Sequence, residues 1–102
     1  MQGFNILLIS RNYDKLSEVK NELLTWYPNI KCDIIPFDFD WKYSKEAYDH
    51  LFNSLDNYKE VSILINNVGI LNGSLFHLQE EKIIQSHLNI NTVPIVYLSK
   101  YY

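Results

Sequence analysis

Three polar groups interrupt the apolar runs of this sequence: Ser10-Arg11-Asn12, Asp38-Phe39 and Asn66-Asn67-Val68-Gly69. Each follows a β-branched or aliphatic run, and in open α/β sheets ligands bind beyond the carboxyl ends of strands. Arg11 is a cation able to hold a phosphate, and its plain structural reading is a solvated surface arginine. A cation at a helix N-terminus opposes the helix dipole, which makes a purely structural role less comfortable. Asp38 offers a carboxylate acceptor, and its ordinary reading is a turn-forming aspartate. Asp40 completes a carboxylate pair, but no further ligands converge on it, so a solvated acidic turn is preferred to a metal site. His50, His77 and His87 lack metal-ligand spacing to one another or to Cys32, the single cysteine. Disulfides within the chain and Cys-x-x-Cys chemistry are therefore excluded.

The elements that must position these groups follow from hydrophobic spacing. Asn5 to Ser10 is a short, near-continuous apolar run, which suits a strand buried on both faces of a parallel sheet. Asn12 can cap a helix in which Leu16, Val19, Leu23 and Trp26 recur at helical spacing until Pro28. Lys31 to Pro36 reads as a second strand. Ser44 opens a second helix with Tyr48, Leu51, Phe52 and Leu55 on one face. Val61 to Ile65 reads as a third buried strand, ended by Asn66 to Gly69. A loop holding Asn72-Gly73 follows, and a last helical region runs from about Gln79 toward the C-terminus. Pro94 cannot donate to the Ile90 carbonyl, so that helix is expected to kink. Strands alternating with helices at this spacing build a parallel sheet, and the class is α/β.

The 102 residues are 47% hydrophobic and 21% charged, an ordinary globular balance, and one continuous unit over 1–102 is expected. A net charge of -3 with dispersed basic residues leaves no electrostatic footprint for nucleic acid. No apolar run approaches the ~20 residues needed to span a bilayer.

Taken in order, the landmarks resemble the short-chain dehydrogenase/reductase family, in its hydroxysteroid dehydrogenase and very-long-chain 3-oxoacyl-CoA reductase branch. Asn66-Asn67-Val68-Gly69 is similar to the Asn-Asn-Ala-Gly signature that closes the family's fourth strand. Gly3 to Arg11 with Lys15-Leu16 resembles its second-strand region. Asp38-Phe39 stands at its third-strand aspartate, and Leu88-Asn89-Ile90 resembles the segment of its catalytic asparagine. The resemblance implies an incomplete three-layer Rossmann-type fold binding a nicotinamide dinucleotide. With Arg11 basic where NAD enzymes place an acid, it implies NADP.

In the family's terms, Ser10 and Arg11 border the ribose phosphate. Asp38 accepts a hydrogen bond from the adenine amine while the Phe39 backbone N–H addresses the ring. Asn66, Asn67 and Gly69 floor the cofactor, and Asn89 holds a water of the proton relay through its backbone carbonyl. The family's Gly-rich first-strand loop and its Tyr-x-x-x-Lys catalytic segment are expected to be lacking; Tyr97 and Lys100 are three apart and do not supply the latter. The expected function is a part of an NADP-dependent oxidoreductase that reduces the ketone of a 3-oxoacyl-CoA or steroid-like lipid and is inactive as this chain alone. The alternative is a non-catalytic α/β binding module derived from the same fold. Unpaired apolar strands are expected to favour self-association. Localisation at the endoplasmic reticulum or in the cytoplasm is implied by the resemblance alone.

Overall fold

In a computed structural model, residues 3–40 and 44–102 are described. They form two compact units, Met1–Asp38 and Phe39–Tyr102.

The first unit is a strand-helix-strand. β1 (Ile6–Ser10) and β2 (Cys32–Pro36) pair in parallel, with Ile6 opposite Cys32 and Ser10 opposite Pro36. The ladder extends one bond at each end: Ile6 N–H donates to the Lys31 carbonyl at 2.8 Å and Phe37 N–H to the Ser10 carbonyl at 2.9 Å. Asn5 adds a side-chain clamp, its Oδ1 accepting from Lys31 N–H at 2.9 Å. The connection is α1 (Tyr13–Trp26), which begins where Asn12 Oδ1 accepts from Lys15 N–H at 3.0 Å. That bond satisfies one of the donors a helix start leaves open. Leu16 and Cys32 are buried, and burial pushes the Cys32 thiol pKa up.

The second unit is helical among its described residues. α2 (Lys45–Leu55) is capped by Ser44, whose Oγ accepts from Ala47 N–H at 3.1 Å. It buries Tyr48, Leu51 and Leu55, three of the four residues its spacing singled out, with Phe52 half-buried. A 3-10 turn (Phe76–Leu78), α3 (Glu81–Asn91) and α4 (Val93–Tyr101) follow. The last helical region is thus divided at Thr92, with Pro94 in the first turn of α4. There its missing N–H costs nothing, which is why the proline is tolerated. Tyr101, the last residue of α4, and Tyr102 after it fasten this end of the chain to α2 and the turn that follows α2. The Tyr101 ring stacks on Phe52 at 4.8 Å, its hydroxyl donates to Asp56 Oδ1 at 2.6 Å, and the Tyr102 hydroxyl donates to the Tyr58 carbonyl at 3.2 Å.

One expected element is absent. Val61 to Ile65 forms no strand, and Ile63 and Ile65 are 62% and 79% exposed. A strand exists only by pairing, and no strand among the described residues of its unit lies beside it. The β-branched composition is met; the hydrogen-bonding partner is not. The chain is a mixed α/β protein with a parallel strand pair, consistent with an incomplete Rossmann-like fold.

Candidate functional site

The parallel register decides what stands together in the first unit. Because Ser10 lies opposite Pro36, the residues leaving the two strands emerge at one end of the pair. Ser10 and Arg11 leave β1 there, immediately before the Asn12 cap of α1, and Asp38 stands two residues beyond β2. Arg11 and Asp38 are exposed. A guanidinium, a carboxylate and a helix N-terminus at one end of a parallel pair can serve a phosphate and a nitrogen donor of the same ligand. The chemistry of these groups therefore fits an adenine dinucleotide.

Phe39, Asn66, Asn67, Gly69 and Asn89 belong to the second unit. Phe39 is buried, whereas Asn66, Asn67 and Gly69 lie in an exposed segment without regular structure. That segment is tied down at its far end by a residue sequence reasoning passed over. Asn91, the last residue of α3, accepts from Ile70 N–H through Oδ1 at 2.8 Å and donates from Nδ2 to the Ile70 carbonyl at 2.9 Å. One carboxamide thus satisfies both backbone groups of the residue after Gly69. A Cβ at Gly69 would stand 3.4 Å from the same Asn91 oxygen, so the loop passes close to the clamp. The available signal was weak: a second asparagine two residues after Asn89, at a helix end where its amide can reach out.

Asn89 is placed differently. It is 4% exposed; its Oδ1 accepts from Gln85 Nε2 at 2.8 Å, and its Nδ2 makes a long bond, 3.5 Å, to the Asp40 carbonyl. Its side chain therefore joins α3 to the Phe39-Asp40 turn and makes no bond to the Asn66 to Gly69 loop. The two bonds explain how a helix-interior asparagine is buried without an unsatisfied amide.

Two tyrosine-lysine pairs are set aside by position. Tyr97 and Lys100 lie three apart on α4. Tyr27 and Lys31 have the four-residue spacing, but they flank Pro28 in the turn between α1 and β2, at the opposite end of the strand pair from Arg11 and Asp38. Among the described residues no cluster of His, Cys, Asp and Glu could hold a metal ion, and no helix is long and apolar enough to cross a membrane.

Comparison with known proteins places the whole chain, residues 1–102, within the family model for short chain dehydrogenase. The chain is 37% identical to a putative steroid dehydrogenase 4 of Caenorhabditis elegans over 96% of its own length and 38% of that protein. It is 44% identical to a very-long-chain 3-oxoacyl-CoA reductase-like protein of Arabidopsis thaliana over 67% of its length and 20% of that protein. A very-long-chain 3-oxoacyl-CoA reductase of Caenorhabditis briggsae is 39% identical over 68% of the chain and 21% of that protein. The chain spans between about a fifth and two fifths of the curated relatives it matches.

Proposed function

The chain belongs to the short-chain dehydrogenase family, and from that premise we propose that it forms part of an NADP-dependent oxidoreductase acting on the ketone of a lipid-like substrate. The observation that carries this reading is Arg11, exposed at the carboxyl end of β1 directly before the α1 cap, with Asp38 at the same end of the strand pair. The relatives are oxidoreductases whose names specify 3-oxoacyl-CoA reduction and steroid dehydrogenation, so an acyl thioester or a steroid is the substrate class proposed.

A nicotinamide dinucleotide held by these residues would supply the hydride. Arg11 would pair with the phosphate on the adenosine ribose, with Ser10 beside it, and Asp38 would accept from the adenine amine while the Phe39 N–H addresses the ring. By resemblance to the family signature, Asn66, Asn67 and Gly69 would floor the cofactor; the backbone that follows them is held at Ile70 by Asn91. Asn89 offers its backbone carbonyl to a water of the proton relay. The tyrosine that would protonate the carbonyl oxygen and the lysine that would lower its pKa have no counterpart in the elements described above, so the chain alone is proposed to bind cofactor without turning it over.

The test is a fluorescence titration of the purified chain with NADPH and with NADH, repeated on Arg11→Glu. Hydrogen bonds to a charged group are worth about 1.5–3 kcal/mol, or roughly ten- to a hundredfold in affinity. Arg11→Glu should therefore weaken NADPH by at least tenfold and leave NADH nearly unchanged. Equal loss for both cofactors would remove the role given to Arg11. Absence of any dinucleotide affinity would favour a non-catalytic binding module instead.

A further inference from the structure

Independently of the reductase reading, we propose that Asn72 is a self-modifying site, converting through a cyclic imide with Gly73 to aspartate and isoaspartate. Asn72-Gly73 is the one Asn-Gly step in the sequence. It lies in an exposed segment outside helix and strand. Three features of the loop favour ring closure. Ser74 N–H donates to Asn72 Oδ1 at 3.2 Å, which turns the carboxamide toward the backbone that follows it. Gly73 has no heavy atom within 4 Å of where a Cβ would stand, so approach of its nitrogen is unhindered. Among the described residues the Gly73 N–H donates to nothing, so it is free to lose its proton.

The reaction needs only water. Hydroxide removes the Gly73 amide proton, the nitrogen attacks Asn72 Cγ, and the Ser74 N–H stabilises the charge developing on Oδ1. The Cγ–Nδ2 bond breaks, ammonia leaves with a proton from solvent, and a five-membered imide remains. Water then adds at either imide carbonyl, opening the ring to aspartate or to isoaspartate. Either product adds a negative charge. Isoaspartate also inserts one backbone carbon between two anchored points: Ile70, held by Asn91, and Ser74, whose carbonyl accepts from Gln79 Nε2 at 3.2 Å.

Other asparagines serve as internal controls. Asn53 precedes a small residue, Ser54, but its backbone is held in α2. Asn67 precedes the β-branched Val68, which crowds the attacking nitrogen. The triplet Asn72-Gly73-Ser74 also has the spacing of a glycan acceptor, but imide formation requires no enzyme and no particular compartment.

The experiment incubates the full chain at neutral and at mildly alkaline pH and follows intact mass, peptide mapping and enzymatic methylation of isoaspartate. A gain of about 1 Da should appear at Asn72 first and faster at the higher pH. Gly73→Ala should slow it by at least about tenfold, because the methyl group crowds the nitrogen. That substitution is compatible with the fold, since no glycine here has positive φ and the added carbon meets open space. Equal rates at Asn72 and Asn53, an insensitivity to Gly73→Ala, or a glycan on Asn72 in protein isolated from its own cells would overturn the proposal.

Discussion

Replacing Asn91 with alanine removes both bonds that hold Ile70 and nothing else that the side chain makes among the described residues. A net contribution of about 1 kcal/mol per hydrogen bond sets an upper bound of about 2 kcal/mol. Both bonds lie at the exposed surface, where water replaces the lost partner in part, so about 1 kcal/mol is the expected loss. The loss is local. Residues 59–69 carry no regular structure, so release of Ile70 frees the loop while α3 persists. The assay is amide hydrogen exchange at Ile70 by NMR, where 1 kcal/mol is roughly a fivefold fall in protection.

Asn91→Asp sharpens the test. Its carboxylate can still accept from Ile70 N–H, but it places an acceptor against the Ile70 carbonyl where a donor stood at 2.9 Å. Its loss should equal or exceed that of alanine. Asn89→Ala, by contrast, leaves the Gln85 amide without its partner and lowers global stability, yet should leave Ile70 exchange unchanged relative to its neighbours. The reasoning is refuted if Ile70 exchange responds to Asn89→Ala and not to Asn91→Ala.

Three further outcomes are expected. Asn12→Ala removes the α1 cap and should cost about 1 kcal/mol in chemical denaturation, with the first turn of α1 fraying first in exchange measurements. Leu55→Ala, at a residue 0% exposed, should cost about 2–5 kcal/mol and lower the thermal midpoint, whereas Ser54→Ala on the exposed face should stay within about 0.5 kcal/mol. The hydrogen bond to Asp56 and, secondarily, burial push the Tyr101 phenol pKa from 10.0 up to about 12. A phenol whose folded pKa is raised stabilises the fold fully below pH 10 and loses that contribution as pH rises toward 12. Asp56→Asn should therefore return the Tyr101 midpoint toward 10 in a tyrosinate absorbance titration.

The helices were legible because their signals are local. Asn12 and Ser44 each cap as their positions suggest, and Pro28 stands just past the C-cap residue Tyr27. The apolar spacing of Tyr48, Leu51 and Leu55 marks the face α2 buries. β1 and β2 were legible for a related reason: the helix between them brings two apolar runs side by side in parallel. Pro94 announced an interruption, but its form depended on Thr92, whose backbone leaves helical geometry at φ -120 and ψ -55. A proline marks a break without specifying on which side the new helix starts.

What was not legible depends on partners distant in sequence. The types of residues in Val61 to Ile65 describe a side-chain environment, two buried faces, while a strand is made by a neighbouring backbone that composition does not name. The same distinction separates Asn89 from Asn91. Both are asparagines in the last turn of α3, and a motif match selects the first. The bonds to Ile70 select the second as the residue that shapes the loop after Gly69, because Asn91 is exposed enough to reach that backbone while Asn89 is buried and spends its amide on Gln85 and Asp40. If the Asn66 to Gly69 segment is the floor of a cofactor site, its position is then set by the helix end. Sequence alone can propose that floor; its fastening is a matter of two distances, 2.8 and 2.9 Å, that only the folded chain contains.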